Sequence, residues 1–550
     1  MCGLTACALL RSTQTKDNET RLPKKAFITF AILLLLACSS EPAQLRIKNT
    51  KITGIKKDRG AAFLSLPYAS AKRFQSPSLY TYDEAQTLSA FEKQNPCPQE
   101  RFPISMALGK LYRGSEDCLN MNIFTPDLSG KKLAVFVFFH GGGYELGSNN
   151  DFGEVELYDF SHFAAKHGVI VVAPNYRLGA FGFFAHPFIQ EASPKESLCS
   201  DCAIDDMVAA LRWVQAHISH FGGDPTNVTI GGESAGAHAA KYLVESSHAG
   251  NLFKAAIIQS APNGSPTLEE AQRRSLVITK KAGCHRDDLK ASFECMRKLS
   301  AKDLLQAQGS LSERLEKVRS ESLLAHRFMM RFSPVVHPKE SVSRRPIPLI
   351  LGTNANEFDM IGNFANDSDK FQNFFHQLSG NEQALERLSA VYKMPANRIF
   401  GRFITDSTFT CANLIFAKSH TETTNADVYH YMFTESPWRS SSLQTGLGAS
   451  HGLEIPYAFE NLPWYLSMFL SNYETTSSLV GGYWANFIKE SNPNFATAPL
   501  WTPYSDTFDK TLHLNHKAEL KTYNDRGACA QIKSLIPQVL SRAIPSESGL

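Results

Sequence analysis

The sequence predicts an α/β fold whose large, mostly parallel sheet is flanked by helices, and three observations support this prediction. Apolar runs at 133–139 and 169–173 are rich in β-branched and aromatic residues on both faces, as strands buried inside a parallel sheet are. A helix-like segment at 205–222 repeats its apolar residues at helical spacing. Further strand-like and helix-like segments follow in alternation, which is typical of a parallel sheet with helical crossovers.

The elements that follow one another along the chain each carry a local signal. The helix predicted at 205–222 places on one stripe the apolar residues Met207, Ala210, Leu211, Val214 and Ile218. The short strand "NVTIGG" leads into "SAGAHAAKYLVES", which is predicted to begin a helix. The apolar runs "FKAAIIQSA", "IPLILGTN" (347–354) and "DVYHYMF" (427–433) continue the series of buried strands.

Composition indicates a large globular protein. Of the 550 residues, 43% are hydrophobic and 20% are charged, which gives enough apolar material for an extensive core. No internal repeat, low-complexity block or Pro/Ser-rich linker divides the chain, so a single large α/β unit is compatible with its length. The net charge of +3 and the lack of long charged runs argue against a nucleic acid partner.

The N-terminal region indicates export. Lys24 and Lys25 precede "AFITFAILLLLA", an apolar run too short to span a bilayer but of the length of a signal-peptide core. This run ends in "LLACSS", which resembles the lipobox of bacterial lipoproteins and makes Cys38 the predicted lipidated residue, in the periplasm or at an outer membrane. A plain secretory signal is the alternative, because the segment before the lysines is unusually long for a lipoprotein signal.

The number of cysteines fits an oxidising compartment. Eleven cysteines less Cys2, Cys7 and Cys38 leave eight, an even number suited to disulfides. Cys199 and Cys202 form a tight "CSDC", for which zinc binding and redox catalysis are the other interpretations. We expect neither, since no second CxxC or nearby histidine pair completes a zinc site and the surroundings are not thioredoxin-like.

The stretch "GGESAGAH" (231–238) has the pattern of a nucleophile turn. Ser234 lies between a predicted strand and a predicted helix, where Gly232 and Gly236 allow a sharp turn without Cβ clashes. Such a turn lifts the hydroxyl above the sheet, and the helix N-terminus behind it favours a nearby oxyanion. The sequence therefore predicts Ser234 as a catalytic nucleophile.

The three consecutive glycines of "HGGGYELGS" (140–148) predict an oxyanion site. They directly follow a buried strand, where a flexible surface loop is not expected. Glycines at such a place let the backbone approach a reacting group closely and present its N–H groups. We expect Gly142 and Gly143 to donate to a developing oxyanion, together with Ala235, which follows the serine.

Ordered motifs over nearly all of the chain beyond its N-terminal region resemble those of the type-B carboxylesterases, relatives of the cholinesterases with the α/β-hydrolase fold. Besides the two motifs above, they are "LPYASAKRF", "SEDCLNMNIFTP", "NYRLGAFGFF", "FGGDPTNVTIGGESAGAH", "FSPVV", "LILGTNANEF", "SHGLEIPYAF" and "YWANFIKESNPN". The resemblance implies one catalytic domain with long loop insertions at 38–550, after an extension and signal peptide at 1–37. It implies an exported bacterial carboxylesterase that works without a cofactor or metal.

The resemblance also implies the remaining catalytic residues. The family's acid falls on Glu357 in "GTNANEF", and its base falls on His451 in "SHGLE". The order serine, acid, histidine is the one that an α/β-hydrolase requires, and both residues follow predicted strands. Ester hydrolysis would then proceed through an acyl-enzyme on Ser234.

The disulfides implied by the family join Cys97 with Cys118, Cys284 with Cys295, and Cys411 with Cys529. The "CSDC" segment departs from the family, which usually has a Gly/Asn-rich approach to a "GLxDQ" sequence at this place. The pairing of Cys199 with Cys202 therefore stays open.

The predicted substrate is a small to medium ester. In cholinesterases the loop closed by the first disulfide carries a tryptophan that binds a quaternary ammonium, and the loop here (97–118) has none. The segment 334–352 is shorter than in the family, which predicts a more open acyl pocket. The alternatives are a lipase on longer-chain lipid esters and a non-catalytic, neuroligin-like binding module. The latter is disfavoured because every implied catalytic residue is present.

Overall fold

The computed structural model describes most of the chain from residue 42 onward. Its described residues are 42–102, 104–109, 111–152, 155–312, 331–336, 344–358, 383–394, 396–436, 448–462, 467, 470, 472–504, 510–522 and 526–535. Cys38 and the rest of the predicted signal region lie outside these residues, as do residues 337–343 of the segment predicted to open the acyl pocket.

A sheet of thirteen strands runs through the described part of the chain. In chain order its strands are β1 (Ala43–Ile47), β2 (Thr50–Lys56), β3 (Ala61–Pro67), β4 (Thr87–Ala90), β5 (Asn120–Thr125), β6 (Leu133–Phe139), β7 (Ile170–Pro174), β8 (Gly223–Glu233), β9 (Ala255–Gln259), β10 (Leu349–Asn354), β11 (Val428–Phe433), β12 (Lys510–Leu514) and β13 (Glu519–Thr522). The order across the sheet is β1, β2, β3, β5, β7, β6, β8, β9, β10, β11, β12, β13, and β4 pairs with β2.

The centre of the sheet is parallel. The strands from β7 to β12 in the order across the sheet all pair in parallel. Antiparallel strands flank this block, with β5 beside β7 on one side and β13 beside β12 on the other. The predicted, mostly parallel sheet is therefore confirmed, and the carboxyl ends of β6, β8, β10 and β11 lie along one edge.

Both faces of the central strands are buried. In β6, Val135 and Val137 contribute to the apolar core on one face of the sheet, whereas Phe136 and Phe138 contribute to the core on the other face. This alternation follows from the two-residue period of a strand. Burial on both faces explains why these runs are continuously apolar in the sequence.

Helices cover both faces, with α5 and α6 in the core of one face and α2 and α14 in the core of the other. In chain order the helices are α1 (Ile104–Leu108), α2 (Ser161–His167), α3 (Gly179–Gly182), α4 (Phe188–Glu191), α5 (Cys202–His217), α6 (Ala235–Glu245), α7 (Leu268–Lys281), α8 (Leu289–Lys298), α9 (Ala301–Gln308), α10 (Ala384–Tyr392), α11 (Ala396–Thr405), α12 (Cys411–Thr424), α13 (Glu454–Ala458), α14 (Tyr473–Glu490) and α15 (Arg526–Leu535). A π-helical turn at Asp406–Thr410 joins α11 to α12. Among the described helices, none is long and apolar enough to cross a membrane.

The helix predicted at 205–222 differs from α5 in its bounds and in its burial. The α-helix ends at His217, and a 3₁₀ turn at Ile218–Phe221 takes the place of its predicted last turn. The predicted apolar stripe is buried, but Asp206 is buried as well. Arg177 donates to this carboxylate from Nε and Nη2 at 2.8 and 2.7 Å, which offsets the cost of burying its charge.

Four disulfides lie within the described residues. Three of them join the expected pairs, Cys97 with Cys118, Cys284 with Cys295, and Cys411 with Cys529. The fourth joins Cys199 to Cys202 at the start of α5. The bond between α12 and α15 has the largest sequence separation of the four, 118 residues, so in the chain-entropy account it constrains the unfolded chain most.

Candidate active site

Four parallel strands bring the predicted site residues to one edge of the sheet. β6 ends at Phe139 before the glycine loop, and β8 ends at Glu233 immediately before Ser234. Glu357 follows the end of β10, and His451 lies in the turn that precedes α13. Residues far apart in the sequence therefore meet where the carboxyl ends of these strands lie side by side.

The backbone turns sharply at Ser234. This residue has φ 56° and ψ −121°, a strained conformation for an L-residue and one typical of nucleophile turns. Gly232 and Gly236 make the turn sterically possible, since a Cβ there would lie 2.4 or 2.0 Å from the carbonyl oxygen of Phe139. The N–H of Ser234 donates to the carbonyl of Gln259 at 2.9 Å, which fixes the turn to the neighbouring strand β9.

His451 lies between Ser234 and Glu357 and is bonded to both. Its Nε2 is 2.8 Å from Ser234 Oγ, and its Nδ1 is 2.6 Å from Glu357 Oε2. The other carboxylate oxygen of Glu357 accepts the N–H of Asn354 at 2.8 Å, so the carboxylate is held from two sides. A carboxylate at Nδ1 favours the tautomer in which Nε2 accepts the serine proton.

Two phenylalanine rings restrict the imidazole of His451. The ring centroids of Phe358 and Phe409 lie 5.2 and 5.1 Å from the centroid of the imidazole. Phe409 belongs to the buried π-helical turn between α11 and α12, where the helix is locally widened. The turn therefore places a rigid aromatic side chain beside the histidine.

The glycine loop after β6 lies against the serine turn. Gly142 and Gly143 have φ angles of 109° and 61°, in the left-handed region that favours glycine. The carbonyl of Gly142 accepts two N–H groups further along the loop, both at 3.0 Å. A Cβ on Gly141 would lie 3.2 Å from Ser234 Cβ, so the two segments are in close contact. The proposed oxyanion donors of the glycine loop therefore lie in a segment that contacts the serine turn, from which Ala235 supplies the other proposed donor.

A serine, a histidine and a glutamate bonded in series next to a glycine loop form an arrangement that serine hydrolases use. The chain matches the carboxylesterase family over residues 41–531. This chain belongs to the carboxylesterase family. The predicted family and the predicted class, a carboxylic ester hydrolase, are thereby confirmed.

Named proteins and solved structures resemble this carboxylesterase over most of its length. A para-nitrobenzyl esterase of Bacillus subtilis (strain 168) is 31% identical over 503 residues, which cover 87% of this chain and 95% of that protein. A cholinesterase of Mus musculus is 28% identical, with 96% of this chain and 92% of that protein covered. A solved structure of a PNB esterase matches with a TM-score of 0.72 and 26% identity, covering 90% of this chain and 100% of that one. The predicted α/β-hydrolase fold is thus confirmed.

Buried carboxyl groups surround the histidine of this carboxylesterase. Glu233 Oε1 lies 3.3 Å from His451 Nε2, and the side-chain amide of Asn354 donates to Glu454 at 2.6 Å. Burial alone lowers the pKa of His451, but the negative charges of Glu233 and Glu357 and the hydrogen bond to Glu357 outweigh it. Together they raise the pKa of His451 to about 9.

The pKa of the buried Glu233 carboxyl is raised as well. Burial raises the pKa of Glu233 to about 8; the charge of His451 opposes this shift, and the charges of Glu454 and Glu357 add to it. Burial and the charge of Glu357 also raise the pKa of Glu454 to about 7. A proton on Glu233 removes one charge that raises the pKa of His451, so the basicity of the histidine depends on the state of this carboxyl.

Some residues of the site were not predicted from the sequence. Glu454 carried a signal that could have identified it, since it follows His451 by three residues at the start of α13 and helical spacing brings such residues together. Asn354 is the last residue of β10, where a polar side chain at the sheet edge is a similar signal. Phe409 had no comparable signal, because it comes from a different helix.

Proposed function

We propose that Ser234, His451 and Glu357 act as nucleophile, general base and orienting acid in ester hydrolysis. The observation that carries this proposal is the continuous series of hydrogen bonds from Ser234 Oγ through both nitrogens of His451 to Glu357 Oε2. This geometry supports a histidine that takes the serine proton while the carboxylate stabilises the imidazolium that forms.

The first half-reaction forms an acyl-enzyme. Ser234 Oγ attacks the ester carbonyl carbon while His451 Nε2 takes its proton. The carbonyl oxygen becomes an oxyanion bound by the N–H groups of Gly142, Gly143 and Ala235, each worth about 3 kcal/mol of transition-state stabilisation. The bond to the alcohol oxygen then breaks, and the alcohol leaves with the proton from His451.

Water completes the cycle by the same route. His451 takes a proton from a water molecule, whose oxygen attacks the carbonyl carbon of the acyl-enzyme. The oxyanion forms again at the same donors and collapses as Ser234 leaves with the proton. The products are a carboxylic acid, which keeps the second proton of the water, and the free enzyme; the protons that leave and return to Ser234 pass through His451.

We propose small to medium carboxylic esters as the substrates. A shallow cleft is bordered by Phe183, Phe332 and Val335, with Arg331 also at its wall. The Phe183 ring lies 4.8 Å from the ring of Tyr144, measured between centroids, so one wall of the cleft packs against the glycine loop. The name of one relative, the para-nitrobenzyl esterase of Bacillus subtilis, refers to a small ester and supports this substrate range.

A series of p-nitrophenyl esters of increasing acyl length tests this substrate range. We expect kcat/KM to be maintained from acetyl through butyryl and to fall for long acyl chains. Strict preference for acetyl would contradict the open acyl pocket. Highest activity on long-chain esters or aggregated lipid would favour the lipase alternative.

The Ser234→Ala variant distinguishes a hydrolase from a neuroligin-like binding module. We expect the wild-type protein to hydrolyse these esters and the variant to fall by about 10⁶-fold, to background. A matched control is Ser292→Ala, which removes a buried hydroxyl that donates to the carbonyl of Cys284 at 3.0 Å and should leave activity unchanged. Equal background rates in wild type and Ser234→Ala would contradict catalysis.

We also propose that the chain is exported and carries lipid on Cys38. The apolar run before "LLACSS" supports export, and so do the eight further cysteines that pair in disulfides. Metabolic labelling with palmitate in a bacterial host should label the wild-type chain and leave Cys38→Ala unlabelled. An unlabelled wild-type protein released into the periplasm or medium would favour the plain secretory signal.

A further inference from the structure

A tyrosine in the glycine loop is held in a conformation that its residue type disfavours. Tyr144 has φ 60°, in the left-handed region where a residue with a Cβ is strained. Its side chain is buried, its ring packs on Phe183, and its carbonyl accepts the N–H of Gly179 at 2.7 Å. A strained residue persists only where its surroundings hold it, so the contacts of Tyr144 help to determine the path of the loop.

The hydroxyl of Tyr144 reaches the helix that follows the proposed nucleophile. It lies 3.0 Å from Nδ1 of His238 in α6. The N–H of His238 donates to the carbonyl of Ser234 at 2.9 Å, so this histidine is tied directly to the serine turn. Tyr144 and His238 therefore join the glycine loop to the start of α6 through two buried side chains.

Both partners of this bond are uncharged near neutral pH. Burial, and then the charge of Lys241, lower the pKa of His238 to about 3, and burial raises the pKa of Tyr144. The other ring nitrogen of His238, Nε2, lies 3.4 Å from Ser265 Oγ. With its proton on Nε2, the neutral imidazole donates towards Ser265 and accepts the hydroxyl proton of Tyr144 at Nδ1.

The proposed oxyanion hole is built from the same two segments. Gly142 and Gly143 belong to the glycine loop, whereas Ala235 is the first residue of α6. Their N–H groups can bind one oxygen atom only if the two segments keep a fixed separation. The pairing of β6 with β8 sets this separation coarsely, and the bond from Tyr144 to His238 restrains it beyond the strand ends.

We propose that Tyr144 and His238 form a clasp that positions the glycine loop against α6 and thereby sets the geometry of the oxyanion hole. This inference rests on the proposed catalytic function of Ser234. Both residues are positioning residues, since they act through the N–H donors and do not touch the reacting atoms. Because an oxyanion exists only beyond the ground state, loosening the clasp lowers kcat and leaves KM nearly unchanged.

The clasp is tested with Tyr144→Phe, His238→Ala and His238→Asn. The first two lose the bond, and we expect kcat/KM to fall by about ten-fold to one hundred-fold at nearly constant KM. Asparagine offers an oxygen close to the position of Nδ1, so His238→Asn should recover most of the activity. Tyr82→Phe is the matched control, because it removes a buried hydroxyl that donates to the carbonyl of Pro67 at 2.7 Å, away from the site.

A trifluoromethyl ketone separates positioning from general loss of folded protein. It forms a hemiketal with the nucleophile whose oxyanion occupies the hole, so its affinity should fall in each variant in proportion to kcat/KM. Organophosphate titration gives the concentration of active enzyme to which all rates are normalised. If His238→Ala does not fold, kcat/KM and inhibitor affinity are compared between Tyr144→Phe and His238→Asn instead.

The outcomes distinguish the clasp from the function on which it rests. If Ser234→Ala is inactive while Tyr144→Phe and His238→Ala keep wild-type kcat/KM and inhibitor affinity, the clasp alone is overturned. A loss in Tyr82→Phe equal to that in Tyr144→Phe also overturns it, because the effect is then one of stability. If Ser234→Ala keeps wild-type activity, the proposed function is wrong and the clasp falls with it.

Discussion

The turn that carries Ser234 and the turn that carries His451 meet at one hydrogen bond of 2.8 Å, but different kinds of contact hold them. Around the serine the restraints are steric and involve the backbone, since Gly236 leaves no room for a Cβ against the carbonyl of Phe139. Around the histidine, one backbone bond joins the N–H of His451 to the carbonyl of Glu357 at 3.2 Å, but the imidazole itself is held by side chains, namely the 2.6 Å bond to Glu357 and two packed phenylalanine rings.

This difference follows from where the restraining residues lie in the sequence. The serine turn connects β8 directly to α6, so small residues within a few positions are enough to shape it. Glu357 lies 94 residues before His451, and local backbone geometry cannot set their separation. We therefore expect added volume to be most harmful in the serine turn and removal of a polar partner to be most harmful in the histidine turn.

The largest expected loss of kcat comes from removing the side chains that connect the two turns, His451 and Ser234. His451→Ala should lower kcat by about 10⁶-fold, because it removes the nitrogen that lies 2.8 Å from Ser234 Oγ and takes the serine proton. The double variant Ser234→Ala/His451→Ala should fall no further than either single variant, since residues that act as a unit are not additive. Single-turnover and steady-state kinetics measure this. A double variant much slower than both singles would indicate that the two turns act independently.

The second-largest expected loss of kcat comes from replacing Glu357, the polar partner of His451. Glu357→Gln keeps the size of the side chain but places an amide beside Nδ1, which favours the wrong imidazole tautomer. We expect kcat to fall by about 10⁴-fold with little change in thermal stability. A fall of only a few-fold would show that packing of the aromatic rings is sufficient to orient His451.

A glycine-to-alanine substitution in each turn compares how much added side-chain volume the two turns tolerate. Gly236→Ala must displace a backbone carbonyl 2.0 Å from the new Cβ, and kcat should fall by at least about 100-fold. Gly452→Ala in the histidine turn has φ 75°, and among the described residues beyond its chain neighbours the atom nearest to the new Cβ is Glu233 Oε1 at 3.6 Å. It should cost about 1 kcal/mol of stability and change kcat only a few-fold.

Thermal unfolding and kcat per titrated active site distinguish these two glycine variants. The comparison fails if Gly452→Ala is as inactive as Gly236→Ala, because the histidine turn would then depend on backbone clearance as well.

The smallest expected effect is a shift in pH dependence. Glu233→Gln removes a negative charge that raises the pKa of His451, so this pKa should fall and the neutral base should persist to lower pH. The acidic limb of kcat/KM should move to lower pH by about one unit or more. Glu460→Gln, which removes a negative charge paired with Lys166 and His167, should leave the limb in place. A limb that moves to higher pH would contradict the assignment.

The local part of this site could be predicted from the sequence, and the part that depends on distant side chains could not. "GGESAGAH" between a strand and a helix is sufficient to predict the turn at Ser234, because its glycines and flanking elements are adjacent. Glu357 and His451 could be identified only through resemblance to a family, since nothing local singles out one carboxyl or one histidine. Phe409 and the bond from Tyr144 to His238 needed the folded chain, because they depend on how separate elements pack.

The sheet shows the same division. Buried strands such as β6 could be predicted closely because both their faces are apolar, whereas the end of α5 could not. There a 3₁₀ turn replaces the last predicted helical turn before β8 begins. Asp206 also lies buried in that helix, because Arg177 from a separate segment of the chain pairs with it.

Mass-spectrometric localisation of an organophosphate label tests the central claim most directly. The account predicts a phosphoryl group on Ser234 in the wild-type protein, and labelling rates in His451→Ala and Glu357→Gln that fall in the same order as their rates of ester hydrolysis. A label on another residue, or a labelling rate in His451→Ala equal to that of the wild type, would contradict it.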